Sequence, residues 1–185
     1  MKSINKIGLI VTKIVEVFHW VAVALMTAAT VCAFAAPSWV GHFVGFDAKE
    51  CCGANLSVYG FELNVAYADK KLDSSTFLLF GIGAIIILAL MAMIFRNLYL
   101  IIKKSNNATP FQACNIRNLR EIGIFAIAVP IVGLVMSVIS RLVFGVETAE
   151  TSNNFGGLII GTVVLCIAEF FIHGIELEKD VDGLL

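Results

Sequence analysis

The chain lacks the short signatures through which a sequence announces its chemistry most directly. It has no glycine-rich phosphate loop, no arrangement suggesting a nucleophile triad and no zinc-ligand spacing, and its five cysteines include no Cys-x-x-Cys pair. These absences argue against P-loop nucleotide hydrolysis, triad-type acyl transfer, a structural zinc module and the usual motif of a quinone-coupled thiol oxidase. No internal repeat or low-complexity tract stands out either, so residues 1–185 read as one integral membrane domain.

What the chain does have is apolar sequence. At 59% hydrophobic residues and a mean hydropathy of +0.91 it exceeds the roughly 45–50% apolar share of soluble domains. Four runs, at about 7–36, 76–102, 122–144 and 155–177, are long enough to cross a ~30 Å hydrocarbon core, which takes about 20 residues at 1.5 Å rise each. The expected fold is therefore an all-α membrane protein, a four-transmembrane-helix bundle. The first run outlasts the apolar core of a signal peptide, and "FAAPSW" is a mediocre cleavage site, so it is read as a retained helix.

Basic residues set the expected orientation. Arg96, Lys103, Lys104, Arg117 and Arg120 surround the second loop, opposed by Glu121 alone, whereas Lys49, Lys70 and Lys71 in the first loop lie among five acids. By the positive-inside rule the second loop and both termini are cytoplasmic, and the 38–75 and 145–154 loops are outside.

Within that second loop, "NATPFQACNIRNLREIG" (107–123) is a polar interruption between two greasy runs. Thr109 and Pro110 suit an N-cap and a first helical position, so a helix is expected to start there and continue into span three. Phe111, Cys114, Ile116, Leu119 and Ile122 recur at three- and four-residue steps, giving an apolar face opposite Arg117, Asn118 and Glu121. The segment reads either as a basic membrane anchor or as a docking surface for a cytoplasmic partner. It is too short and too close to lipid for direct nucleic-acid binding.

The outer loop carries a strand signal. "FELNVAY" (61–67) alternates apolar and mostly polar residues, and "HFVGF" (42–46) is its expected hairpin partner. His42 is read as an ordinary surface residue. Cys51 and Cys52 in this loop, with Cys32 at the outer end of span one, allow a disulfide from Cys32 to either neighbour or a vicinal bond, and sequence does not choose between them. "GIGA" in span two and Gly157-x-x-x-Gly161 in span four mark close helix approach, and Pro130 is expected to kink span three.

Ionisable residues inside spans are costly and point to function or to bundle register. Glu16 and His19 are three apart in span one, and Glu169 and His173 four apart in span four, so each pair shares a helix face. Rise arithmetic from Lys6 and Lys179 puts Glu16 and Glu169 level, about 15 Å above the inner anchors, with both expected to face the bundle interior. Register-fixing hydrogen bonds, a proton or ligand site, a di-iron half-site and bis-histidine haem ligation are the competing readings. The second and third spans contain no Asp or Glu, and the two histidines differ in depth by roughly 6 Å, so no metal or cofactor is expected.

"TPFQACNIRNLREIG", followed by an apolar span, and the closing "AEFFIHGIELEKDVDGLL" resemble the bacterial membrane family called domain of unknown function 2975. The matching positions are Pro110, Phe111, Asn115, Leu119, Arg120, Ile122 and Gly123, then Phe170 or Phe171, Gly174, Leu177 and Glu178. The ending Asp182-Gly183-Leu184-Leu185 and the Ile172-His173 pair depart from the family pattern. The resemblance implies a plasma-membrane location, no established activity, and genes that often neighbour a Cro/C1-type helix-turn-helix regulator. The expected function is accordingly non-enzymatic: sensing, signalling or holding that cytoplasmic regulator. The alternatives are a small transporter or ligand-binding bundle using the intramembrane Glu and His residues, or a membrane redox enzyme. Besides the lipid bilayer and the regulator, a second copy of the chain remains open as a partner.

Overall fold

The structure, a computed structural model, describes residues 2–36, 54–65, 67–68, 71–105, 113–144 and 156–182. Its elements are α1 (Lys2–Ala35), β1 (Ala54–Val58), β2 (Phe61–Val65), β3 (Tyr67–Ala68), β4 (Lys71–Leu72), α2 (Ser74–Ser105), α3 (Ala113–Phe144) and α4 (Gly156–Asp182). Each helix contains a stretch long and apolar enough to cross a membrane: Asn5–Ala35, Ser74–Ser105, Asn115–Phe144 and Gly156–Ile175. The chain is a multi-pass, four-helix membrane protein, and between its first two helices the described residues form two small two-stranded antiparallel sheets, β1–β2 and β3–β4.

The helices are apolar outward and partly polar inward, the pattern that lipid selects. On α1, Ile10, Ile14, Phe18 and Leu25 are exposed while Thr12, Glu16, His19 and Ala33 are buried. Hydroxyls inside the spans are satisfied by their own helix, because water is not there to do it: Thr12 donates to the Gly8 carbonyl at 2.7 Å, Thr30 to Met26 at 2.7 Å and Thr162 to Leu158 at 2.8 Å. α3 remains helical through Pro130, although that residue has no N–H for the Ala126 carbonyl.

Two compact units divide the chain, with boundaries inside α1, α2 and α3. One, called here the hairpin unit, comprises Trp20–Ala89 and Val129–Asn154. In it, Asp73 caps α2. Its carbonyl accepts the first helical bond from Phe77 N–H at 3.0 Å, and its carboxylate accepts from Ser75 N–H at 3.3 Å and from the Thr76 hydroxyl. Ser74 Oγ donates to the Ala33 carbonyl at 3.2 Å, tying the start of α2 to the end of α1. A Cβ on Gly81 would stand 2.9 Å from Thr30 Cγ2, so the glycine lets α1 and α2 approach.

The sheet corrects one expectation. The partner of 61–65 is Ala54–Val58, in a register that pairs Val58 with Phe61 and Leu56 with Leu63; His42–Phe46 lie outside the described residues. The reason is the two-residue turn Tyr59-Gly60, whose φ values of 48° and 86° give the type I′ geometry that matches strand twist. One face of the hairpin is apolar (Leu56, Val58, Phe61, Leu63) and the other polar (Asn55, Ser57, Glu62, Asn64), with Phe61 and Leu63 fully buried. Phe61 stacks on Phe80 at 5.5 Å between centroids, and the missing side chains of Gly83 and Gly133 make its seat. A Cβ on Gly83 would come within 2.8 Å of the Phe61 ring.

The other, basic unit comprises Met1–His19, Leu90–Ala128 and Phe155–Leu185. Here α3 and α4 meet almost backbone to backbone. A Cβ on Gly161 would stand 2.7 Å from the Gly123 carbonyl oxygen, and one on Gly123 would stand 2.7 Å from Leu165 Cγ.

Candidate functional site

The polar residues of the basic unit are its candidate site. α1 contributes Thr12, Glu16 and His19, spaced four and three apart and therefore on one face, and all three are buried. Glu16 is neutralised within its own helix: Lys13 Nζ lies 3.0 Å from Glu16 Oε2, with the lysine half exposed. His19 packs its ring against Phe95 of α2 at 5.4 Å, and its Nδ1 is 2.8 Å from the Val15 carbonyl oxygen. Since a carbonyl only accepts, Nδ1 carries the hydrogen in that bond.

Between α2 and α3 runs a seam of amides. Asn97, only 3% exposed, donates from Nδ2 to Glu121 Oε2 at 2.9 Å, and Asn115 Nδ2 is 3.4 Å from Ser105 Oγ. Antiparallel register between those two bonds puts Asn118 level with Ile101. There its amide nitrogen is buried without a hydrogen-bond acceptor among the described residues. The other oxygen of Glu121 accepts from Arg117 Nε at 3.1 Å, and that arginine side chain is 81% exposed. A continuous relay thus leads from a surface guanidinium through Glu121 to a buried amide on the neighbouring helix.

The structure brings together only part of what sequence reasoning grouped. Glu16 and His19 are buried side by side as expected, but Glu169 is not in their company. Its side chain is 59% exposed and pairs with Arg120 of α3 at 2.5 Å, while His173 is exposed farther along α4. Rise along a helix gives depth alone and not the way a side chain faces, and Glu169 faces out of α4 toward Arg120 of α3. Arg120, read from sequence as part of a docking face, is engaged in holding α3 to α4. Leu119 is half-buried and Arg117 exposed, as the amphipathic pattern requires, yet Asn118 lies inward with Asn115 and Ile116 instead of on the polar face with Arg117.

Asn97 was missed altogether. Its signal was an amide near the end of the second apolar run, beside Arg96, with an acid, Glu121, just ahead of the third run. Pro110 and Phe111 lie outside the described residues, as do Cys51 and Cys52; Cys32 is an exposed free thiol. No group of three His, Cys, Asp or Glu residues suited to a metal ion occurs among the described residues. No family model matches the chain, nor does any curated protein or solved structure, so the chemistry of the site is read from its own residues.

Proposed function

We propose that this chain is a non-enzymatic signalling protein of the bacterial plasma membrane, with its basic unit and both termini on the cytoplasmic side, and that it engages a cytoplasmic regulator through α3. The observation that supports this most is the Arg117–Glu121–Asn97 relay. An acidic group on a partner that drew the Arg117 guanidinium away would leave Glu121 with Asn97 alone, and the change would be felt in the α2–α3 seam. The resemblance to domain of unknown function 2975 supplies the partner's class, a small helix-turn-helix regulator.

Co-purification of the full chain with the helix-turn-helix regulator encoded beside its gene tests the reading. Arg117→Gln should lower capture at least tenfold, and Phe111→Ala should weaken it. Both changes leave Lys103, Lys104 and Arg120 in place to keep the loop inside. Capture that is unchanged in both variants, with the bundle intact, would defeat the proposal. The buried Thr12, Glu16 and His19 face supports a second reading, a small ligand-binding bundle. A solute that protects Glu16 from carbodiimide modification would favour it over signalling.

A further inference from the structure

Cations gather on the seam between α1 and α2 of the basic unit. Lys13 Nζ stands 5.2 Å from the centroid of the Tyr99 ring and Lys103 Nζ 5.8 Å, so the two ammoniums are at most about 11 Å apart across one aromatic platform. Lys6 precedes Lys13 by two helical turns and therefore shares its face of α1. Gly8 opposite Ile102 and Lys13 opposite Tyr99 set an antiparallel register that brings Lys6 level with the Lys103–Lys104 end of α2. Lys13 is balanced by Glu16, but Lys6, Lys103 and Lys104 have no ion pair among the described residues.

Depth and surroundings specify what balances them. At 32 residues α2 is about 48 Å long, some 18 Å more than the hydrocarbon core, and equal overhang puts the core boundary near Tyr99 and Lys103 among the headgroups. Directly beside the lysines, Ile7, Ile10 and Ile14 of α1 are each about 60% exposed and form a lipid-facing stripe. A cationic patch that continues into an aliphatic stripe is complementary to a molecule with a phosphate at one end and acyl chains at the other. We infer that this seam is a binding site for a net-anionic glycerophospholipid. Lys13 and Lys103, both close to Tyr99, supply the charge that attracts the headgroup phosphate, and the acyl chains lie along Ile10 and Ile14. Lys13 has three N–H donors and commits one to Glu16, so it serves both partners at once. A zwitterionic headgroup brings its own ammonium and is repelled by the same lysines.

The test is a lipid titration of the full chain in neutral detergent, read as the thermal unfolding midpoint. Phosphatidylglycerol should raise the midpoint saturably, whereas phosphatidylcholine should not. Lys103→Gln, an exposed position, should raise the half-saturating phosphatidylglycerol concentration at least tenfold, and Lys103→Arg should restore it. Arg117→Gln, which removes a charge from the α2–α3 seam instead, should leave it unchanged. Equal sensitivity of Lys103→Gln and Arg117→Gln would show that net charge alone attracts lipid. An equal response of wild type and Lys103→Gln would show no site at this seam. A midpoint shift of the same size with glycerophosphate would assign the patch to a soluble anion. Any of the three overturns the inference, and none bears on partner capture by Arg117.

Discussion

Alanine at Gly161 and at Gly174 should change stability in opposite directions, although both glycines lie in α4. In an unobstructed helix, Gly→Ala gains about 0.8–1.0 kcal/mol of propensity. Around Gly174 nothing lies within 4 Å of the added Cβ, so Gly174→Ala should realise most of that gain. At Gly161 the same carbon would meet Ile127 Cγ1 at 2.5 Å, the Gly123 carbonyl oxygen at 2.7 Å and the Ile127 backbone nitrogen at 3.0 Å. The isoleucine side chain can turn aside; the two backbone atoms cannot. Reaching ordinary contact at 3.4 Å requires α4 to withdraw by about 0.7 Å, and a gap of that size forfeits roughly a quarter to a half of each dispersion well along the crossing. Overpacking costs about 1–3 kcal/mol, which outweighs the propensity gain and leaves a net loss of up to about 2 kcal/mol. Gly123→Ala, blocked first by the movable Leu165 side chain, should fall between the two. Reversible unfolding in mixed micelles, titrated with dodecyl sulfate and followed by far-ultraviolet ellipticity, resolves differences of this size. A Gly161→Ala variant as stable as wild type or more so would refute the claim that α3 and α4 touch backbone to backbone.

Phe61→Ala should release the hairpin from its seat, at about 3–5 kcal/mol of local stability, so that limited proteolysis cuts within 54–65 while the helices stay intact; wild-type resistance would show the seat is not the anchor. Asp73→Ala should cost about 0.5–2 kcal/mol by removing the cap of α2, seen in the same micelle titration. Partial desolvation raises the Tyr59 phenol above its ordinary value of 10.0 although the residue is still 47% exposed, so its ionisation is disfavoured in the fold and stability falls as pH rises past about 10. The ultraviolet difference titration between wild type and Tyr59→Phe should have its midpoint above 10, and a midpoint at or below 10 would contradict the burial. In a chain with its native cysteines replaced, Ser57→Cys should react with an impermeant maleimide on intact cells and Lys104→Cys should not; the reverse pattern would invert the proposed orientation.

The four spans were legible because hydropathy over 20 residues needs no tertiary context. The close approach at Gly161 was legible because small residues in lipid-facing helices have few other uses. The hairpin was half legible: alternation in "FELNV" announced one strand, but its partner depended on Tyr59 accepting a positive φ, which residue preferences for such turns assign to Asn or Gly. The site was legible only within one helix. Glu16 and His19 share a face by spacing alone, whereas the Glu169–Arg120 and Glu121–Asn97 bonds depend on how adjacent helices are staggered, and nothing in composition reports that. Asn118 shows the same limit. Its inward turn is set by where α2 lies beside α3, which overrode the amphipathic reading of its own segment.

The seat of Phe61 also imposes an order on biosynthesis. Gly83 is made soon after the hairpin, but Gly133, which lies against Phe61 Cβ, follows about 70 residues after Phe61. At a synthesis rate of ~5–20 residues per second the seat of Phe61 stays incomplete, with at most its α2 side (Phe80 and Gly83) in place, for about 4–15 s. During that interval the hairpin is an incompletely covered, edge-bearing ribbon, and its short strands and polar reverse face limit its pairing with other chains. A ribosome stalled between α2 and α3 should therefore display the hairpin to added protease, and one stalled after α3 has inserted should protect it.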